Sequence, residues 1–116
     1  MAICQRVYRN VTILDIEGRL TVETVPDLRL PDLIRHLLQA GRTQIVLNLQ
    51  GVPQLDSSGL TALVEAHFAT TRTAGALKLM HLAPRVRQVL QVTRLLTIFE
   101  AYDTETDAVE SFALAV

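Results

Sequence analysis

The chain has 116 residues, 49% of them hydrophobic and 20% charged, with a formal net charge of -1. That length suits one domain able to bury a core without metal or disulfide help. The apolar runs stop well short of the roughly 20 residues a membrane span needs. The near-neutral charge, with no basic run, argues against a phosphate-reading nucleic-acid surface. Met1 to Arg6 lack the pattern of a secretory signal. The lone Cys4 offers no disulfide framework, so a reducing cytoplasm is the expected setting and another protein the expected partner.

The first segments read as a hairpin. A strand from about Ile3 to Tyr8 and a second from Val11, with Ile13, Leu14 and Ile16 as its apolar positions, flank Arg9-Asn10 as the turn, and Gly18 ends the second strand. Leu30, Leu33, Ile34, Leu37 and Leu38 then follow the spacing of an amphipathic helix stopped at Ala40-Gly41. Pro31 belongs in its first turn, so Val25 to Arg29 is expected to be a separate turn.

Ile45-Val46-Leu47-Asn48-Leu49 suits a strand covered on both faces, and Gly51-Val52-Pro53 is the loop after it. The next helix carries Leu60, Leu63, Val64, His67 and Phe68 as its apolar positions and ends at Ala74-Gly75. Ala62, Ala66 and Ala69 fall opposite that Leu-rich side; small residues there either let a partner helix approach closely or mark a high-propensity surface helix, and the second reading is narrowly favoured. Leu77 to Leu82 alternates as a strand, and Pro84 introduces a helix with Val86, Val89 and Leu90. Ile98 to Tyr102 reads as a last edge strand; Asp103 to Asp107 opens a final helix carrying Ala108, Val109, Phe112 and Ala113, its acidic start suiting the helix dipole. A hairpin followed by alternating helices and strands predicts an α/β fold: one mixed sheet of four to five strands with about four helices packed on it.

Between the central strand and its helix stands Gln54-Leu55-Asp56-Ser57-Ser58-Gly59-Leu60. Asp, Ser and Gly before an apolar helix are what capping predicts, since their oxygens accept bonds from unpaired first-turn amides. A second hydroxyl is redundant for one cap, and Gly59 permits close backbone approach. Loops at the C-terminal ends of parallel strands are also where α/β sheets place their sites.

"VLNLQGVPQLDSSGL", the strand end Gly18-Arg19-Leu20 and "LKLMHLAPRVRQVLQVTRLLTIFE" resemble the anti-sigma factor antagonists of the STAS domain family over nearly the whole chain. The resemblance implies a partner switch without catalysis of its own. It implies phosphorylation of Ser57 by an anti-sigma factor that is a serine kinase, release of the phosphorylated antagonist, and resetting by a PP2C-type serine phosphatase. Asp56, Ser58, Gly59, Leu60, Thr61 and Thr21 would then form the partner-binding surface. Capping is the favoured task for the Ser58 hydroxyl, while Asp56 is either a competing cap or part of the kinase-facing surface. The helix-start amides and dipole would host the phosphate. Thr21 stands where many members carry Asp, Thr61 where many carry Gly, and Arg94 where Gly often follows Thr, which suggests a divergent branch. The family also includes non-switching scaffold subunits of transport or signalling assemblies.

His36, His67 and His81 lack metal-ligand spacing, and His67 reads as a core-edge residue; neither a metal nor a cofactor is expected. A serine hydrolase would need a G-x-S-x-G elbow, and the segment reads L-D-S-S-G. Arg85, Arg87 and Arg94 read as a solvated basic face.

Overall fold

The computed structural model describes residues 2–113. Ala2–Tyr8 (β1) and Val11–Glu17 (β2) form the expected hairpin. Arg9 and Asn10 both take positive φ, 53° and 67°, the signature of a two-residue type I′ loop whose twist matches the strands it joins. Val25–Leu28 (α1) is the separate turn and Leu30–Gln39 (α2) the amphipathic helix, with Pro31 in its first turn. Gln44–Gly51 (β3), Ser57–Arg72 (α3), Ala76–Met80 (β4) and Pro84–Val92 (α4) follow. Ala101–Tyr102 (β5) and Glu105–Ala113 (α5) complete the order.

The strands form one mixed sheet in the order β1-β2-β3-β4-β5, antiparallel between β1 and β2 and parallel elsewhere. Alternation along the strands gives two layers. Leu14, Ile16, Ile45, Leu47, Leu49 and Leu79 join residues of α2, α3 and α4 in the larger core. Val11, Ile13, Val46 and Met80 meet Ala108, Val109 and Phe112 of α5 in the smaller one. The central strand is thus covered on both faces, as its continuous apolar run requires.

Two expectations are corrected. The buried side of α3 is Gly59, Ala62, Leu63, Ala66 and Thr70, while Phe68 is 49% exposed. Helices approach closely only over small side chains, so α2 and the sheet select the alanines and turn the larger Phe68 outward. The last strand keeps only two of its five expected residues. Arg94 takes φ 60°, a short 3-10 turn follows at Leu95–Thr97, and Phe99 is drawn into the core, which leaves only Ala101 and Tyr102 to pair with β4. His67 lies at the core edge as expected, its ring edge-on to Phe68 and Phe99 at 5.5 and 5.3 Å.

Candidate functional site

Parallel β2 and β3 end side by side, so the segment after each runs along the other. The Gly18 amide donates to the Gly51 carbonyl at 2.9 Å, the Leu20 amide to Gln54 at 3.2 Å, and the Asp56 amide back to Leu20 at 3.0 Å. Leu20 and Leu55 form an isolated parallel bridge, and both side chains are buried. The loop carrying the two serines is therefore fixed by backbone bonds on one side and by core on the other.

Asp56 is the N-cap of α3. One carboxylate oxygen, Oδ1, accepts from the amides of Ser58 at 2.9 Å and Gly59 at 3.1 Å. Oδ2 accepts from the Val22 amide at 2.9 Å. These bonds, led by that of Val22, favour the charged form and hold the carboxyl below the usual Asp range. The cap expected of Ser58 thus belongs to Asp56. An extended Ncap residue aims its own side chain at the second and third amides of the helix, whereas Ser58 already lies inside the first turn. The same geometry revises where a phosphate would find donors, because Asp56 occupies the amides of Ser58 and Gly59.

The bond to Val22 is the one contact the sequence did not suggest. It ties the helix start to the turn Thr21–Thr24, which is itself closed by bonds from the Thr24 and Val25 amides to the Thr21 carbonyl at 3.0 and 2.9 Å. The Thr24 hydroxyl accepts from the Thr21 amide at 3.0 Å and donates to the Arg19 carbonyl. The Thr-x-x-Thr spacing in Thr21-Val22-Glu23-Thr24 was the available signal for such a turn.

Ser57 is the first residue of α3 and is exposed; Ser58 is half-buried. Neither hydroxyl makes a hydrogen bond among the described residues, whereas the Thr61 hydroxyl donates to the Ser57 carbonyl at 2.8 Å. Val25, Pro31, Ser57, Ser58, Thr61 and Glu65 line a shallow depression of about 260 Å³ at this corner. Gly59 is buried against β2's extension: a Cβ there would stand 2.7 Å from the Leu20 Cβ and overlap the Leu20 carbonyl. It is a packing residue under the surface, as the half-buried Leu60 is at its edge. Thr21, Asp56, Ser57, Ser58 and Thr61 are thereby brought to one corner. No cluster of three metal-ligating side chains occurs among the described residues, and no helix among them is long and apolar enough to cross a membrane.

Sheet order, helix layer and exposed helix start together define a small mixed α/β domain that presents a rigidly framed hydroxyl at the C-terminal end of its central strands. The STAS domain family matches residues 3–108, and the chain belongs to that family. Solved structures agree over nearly the whole length. The Thermotoga maritima protein TM1081, whose name proposes an anti-sigma factor antagonist, superposes with a TM-score of 0.80 at 25% identity, covering 94% of this chain and 92% of that one. The phosphorylated form of the Bacillus cell fate determinant SpoIIAA gives 0.72 at 23% identity over 96% and 99%. A sulfate transporter family protein from Wolinella succinogenes gives 0.72 at 19% over 94% and 89%.

Proposed function

We propose that this STAS domain is an anti-sigma factor antagonist switched by phosphorylation of Ser57. In this scheme the unphosphorylated chain binds an anti-sigma factor that is itself a serine kinase, so the sigma factor is freed. Transfer joins the Ser57 Oγ to the γ-phosphorus of ATP with ADP as leaving group, and the hydroxyl proton passes to a base of the kinase. A PP2C-type serine phosphatase reverses the modification. The chain is substrate and ligand, and the reaction belongs to its partners in the cytoplasm.

The observation that carries this reading is the contrast between neighbours: Ser57 projects from the helix start unbonded, while Asp56 beside it is held by three amides. A phosphoryl group brings about -1.5 to -2 charges. Two of its natural donors, the Ser58 and Gly59 amides, are already given to Asp56, and Glu65 lines the same depression. The new charge therefore faces solvent next to a fixed carboxylate, eased by the helix dipole. A partner pressed on Thr21, Ser58 and Thr61 would have to bury that charge, and release follows from desolvation and repulsion. A phosphorylated Bacillus relative of the same fold is in keeping with this.

Ser57→Ala should hold the cognate kinase constitutively, and Ser57→Asp should bind at least ~10-fold more weakly, about 1.4 kcal/mol, with an unchanged thermal midpoint. Binding of both variants at wild-type strength would remove Ser57 from the switch. The second reading, a non-phosphorylated scaffold subunit, is favoured by the fold shared with the Wolinella transporter family protein and by Thr21 and Thr61. Intact mass after incubation with the cognate kinase and ATP separates the two: a Ser57-dependent phosphoryl adduct supports the switch, and its absence supports the scaffold.

A further inference from the structure

The sheet ends in two unlike edges. β5 pairs with β4 through two residues only, the short edge by which proteins avoid strand-to-strand association. β1 runs seven residues from Ala2 to Tyr8 with no proline or bulge, and among the described residues it is hydrogen-bonded on one side only. A two-residue loop closes on a pair that exchanges both of its backbone bonds, here Tyr8 and Val11, and bonded pairs then alternate along the ladder. Arg6 and Cys4 therefore also bond inward to β2. The amides and carbonyls of Ile3, Gln5 and Val7 point outward and are unpaired among the described residues.

Those three residues are spaced to meet their own copies. In an antiparallel pairing centred on Gln5, Ile3 faces Val7 of the second copy, Gln5 faces Gln5, and Val7 faces Ile3. All three outward positions become bonded pairs, giving about six backbone hydrogen bonds, and the strand is matched over its whole length. The apolar side chains that meet are otherwise poorly covered: Val7 is 50% exposed and Ile3 is only partly buried. On the opposite face Tyr8, 48% exposed, stands against Ala2. Sliding the pair two residues one way sets Arg6 against Arg6, which is unfavourable. Sliding it the other way leaves Val7 beyond the partner's strand.

The single charge on β1 does not guard this edge. Arg6 is drawn across β2, its guanidinium 2.6 Å from Asp15 and 2.7 Å from Glu105. Its charge is answered within its own chain, on the face covered by α5.

We propose that β1 is a homodimerisation edge, pairing antiparallel with β1 of a second copy about Gln5 and joining two five-stranded sheets into one continuous sheet. A two-fold axis through Gln5 keeps the helical layers of both copies on the same side. It places the two Ser57 corners at opposite ends of the joined sheet, each free to meet a partner, so this assembly is independent of the phosphorylation reading.

Sedimentation velocity on the full chain across a concentration series tests the proposal. Wild type should show a concentration-dependent dimer. Val7→Lys sets an ammonium against Ile3 of the other copy, and Gln5→Pro removes an outward amide without touching the β1–β2 ladder; each should raise the dimer dissociation constant at least ~10-fold, with a thermal midpoint equal to that of wild type when both are measured dilute enough to be monomeric. Under mild oxidation Cys4→Ser/Gln5→Cys should cross-link to a covalent dimer, since directly paired strands bring the two Cα atoms within disulfide reach, about 5.5 Å. Wild type, with Cys4 opposite Arg6, should not. A chain that stays monomeric at its highest soluble concentration, including one whose β1 captures only a different protein's strand, overturns the proposal. So does a dimer that survives Val7→Lys, or faster cross-linking through Cys4, which would mean another register.

Discussion

On one face of the sheet Leu14, Ile16, Leu47 and Leu79 are closed over by α2, α3 and α4. On the other, α5 alone covers Val11, Ile13 and Val46, and ion pairs take over where it stops. There Lys78, 9% exposed at its side chain, donates to the Ser111 hydroxyl at 2.9 Å, pairs with Glu100 at 3.0 Å and lies 4.4 Å from the centre of the Phe112 ring. Arg6 joins Asp15 of β2 to Glu105 of α5, and Asn48 donates to Asp15 at 2.7 Å. Three helices can exclude water from a whole face; a single helix cannot, so the strands beneath it carry polar side chains that pair with one another. The site rests on the first arrangement, because Leu20, Leu49, Val52 and Leu55, which frame the serine loop, all belong to the larger core.

Given that asymmetry, the largest loss should come from opening the three-helix face. Leu47→Ala, at a fully buried position, should cost about 3 kcal/mol and lower the urea midpoint with little change in slope.

Acid should act next, and mainly on the other face. Asp15 is held below the ordinary Asp value of 3.8 chiefly by Arg6, and Glu100 below the ordinary Glu value of 4.5 chiefly by Lys78. Each folded pKa lies under its unfolded one, so this contribution is fully present above about pH 5 and is lost as pH falls through the folded values. Thermal midpoints should fall steeply below about pH 4, and Asp15→Asn should flatten the slope. Asp56 shares the direction, so hydrogen exchange at the Val22 amide should quicken over the same window. Exchange there that ignores pH beyond its intrinsic chemistry would detach Asp56 from that amide.

The smallest change should follow Lys78→Met. A buried charge replaced by an apolar side chain of similar length often costs nothing, so stability should stay within about 1 kcal/mol of wild type. A loss comparable to that of Leu47→Ala would show that the α5 face depends on its ion pair as much as the other depends on its leucines.

Much of this molecule was legible locally. Alternation in the first strands, the i, i+3, i+4 pattern of α2, Pro31 and Pro84 in first turns, and the turn residues Arg9-Asn10 each specify structure through their neighbours in sequence. The corner bearing Ser57 was legible in the same way, as a polar loop between an apolar strand and a helix. The pattern of α3 misleads because it offers two plausible sides, and both contain apolar residues. A helix buries the side that fits the space left by α2, which periodicity does not measure.

The order of elements, the mixed sheet and the place of the two serines can be read from the residues alone, because these depend on local propensity and hydrophobic spacing. Tertiary structure decided the division of labour at that place. Asp56 caps the helix through its first oxygen, and the parallel ends of β2 and β3 bring the Val22 amide within reach of its second, a contact across 34 residues that no local pattern encodes. It decided likewise that Lys78 is buried and that β1 stands at the edge of the sheet among the described residues, since burial and pairing depend on which distant segment arrives to cover a residue.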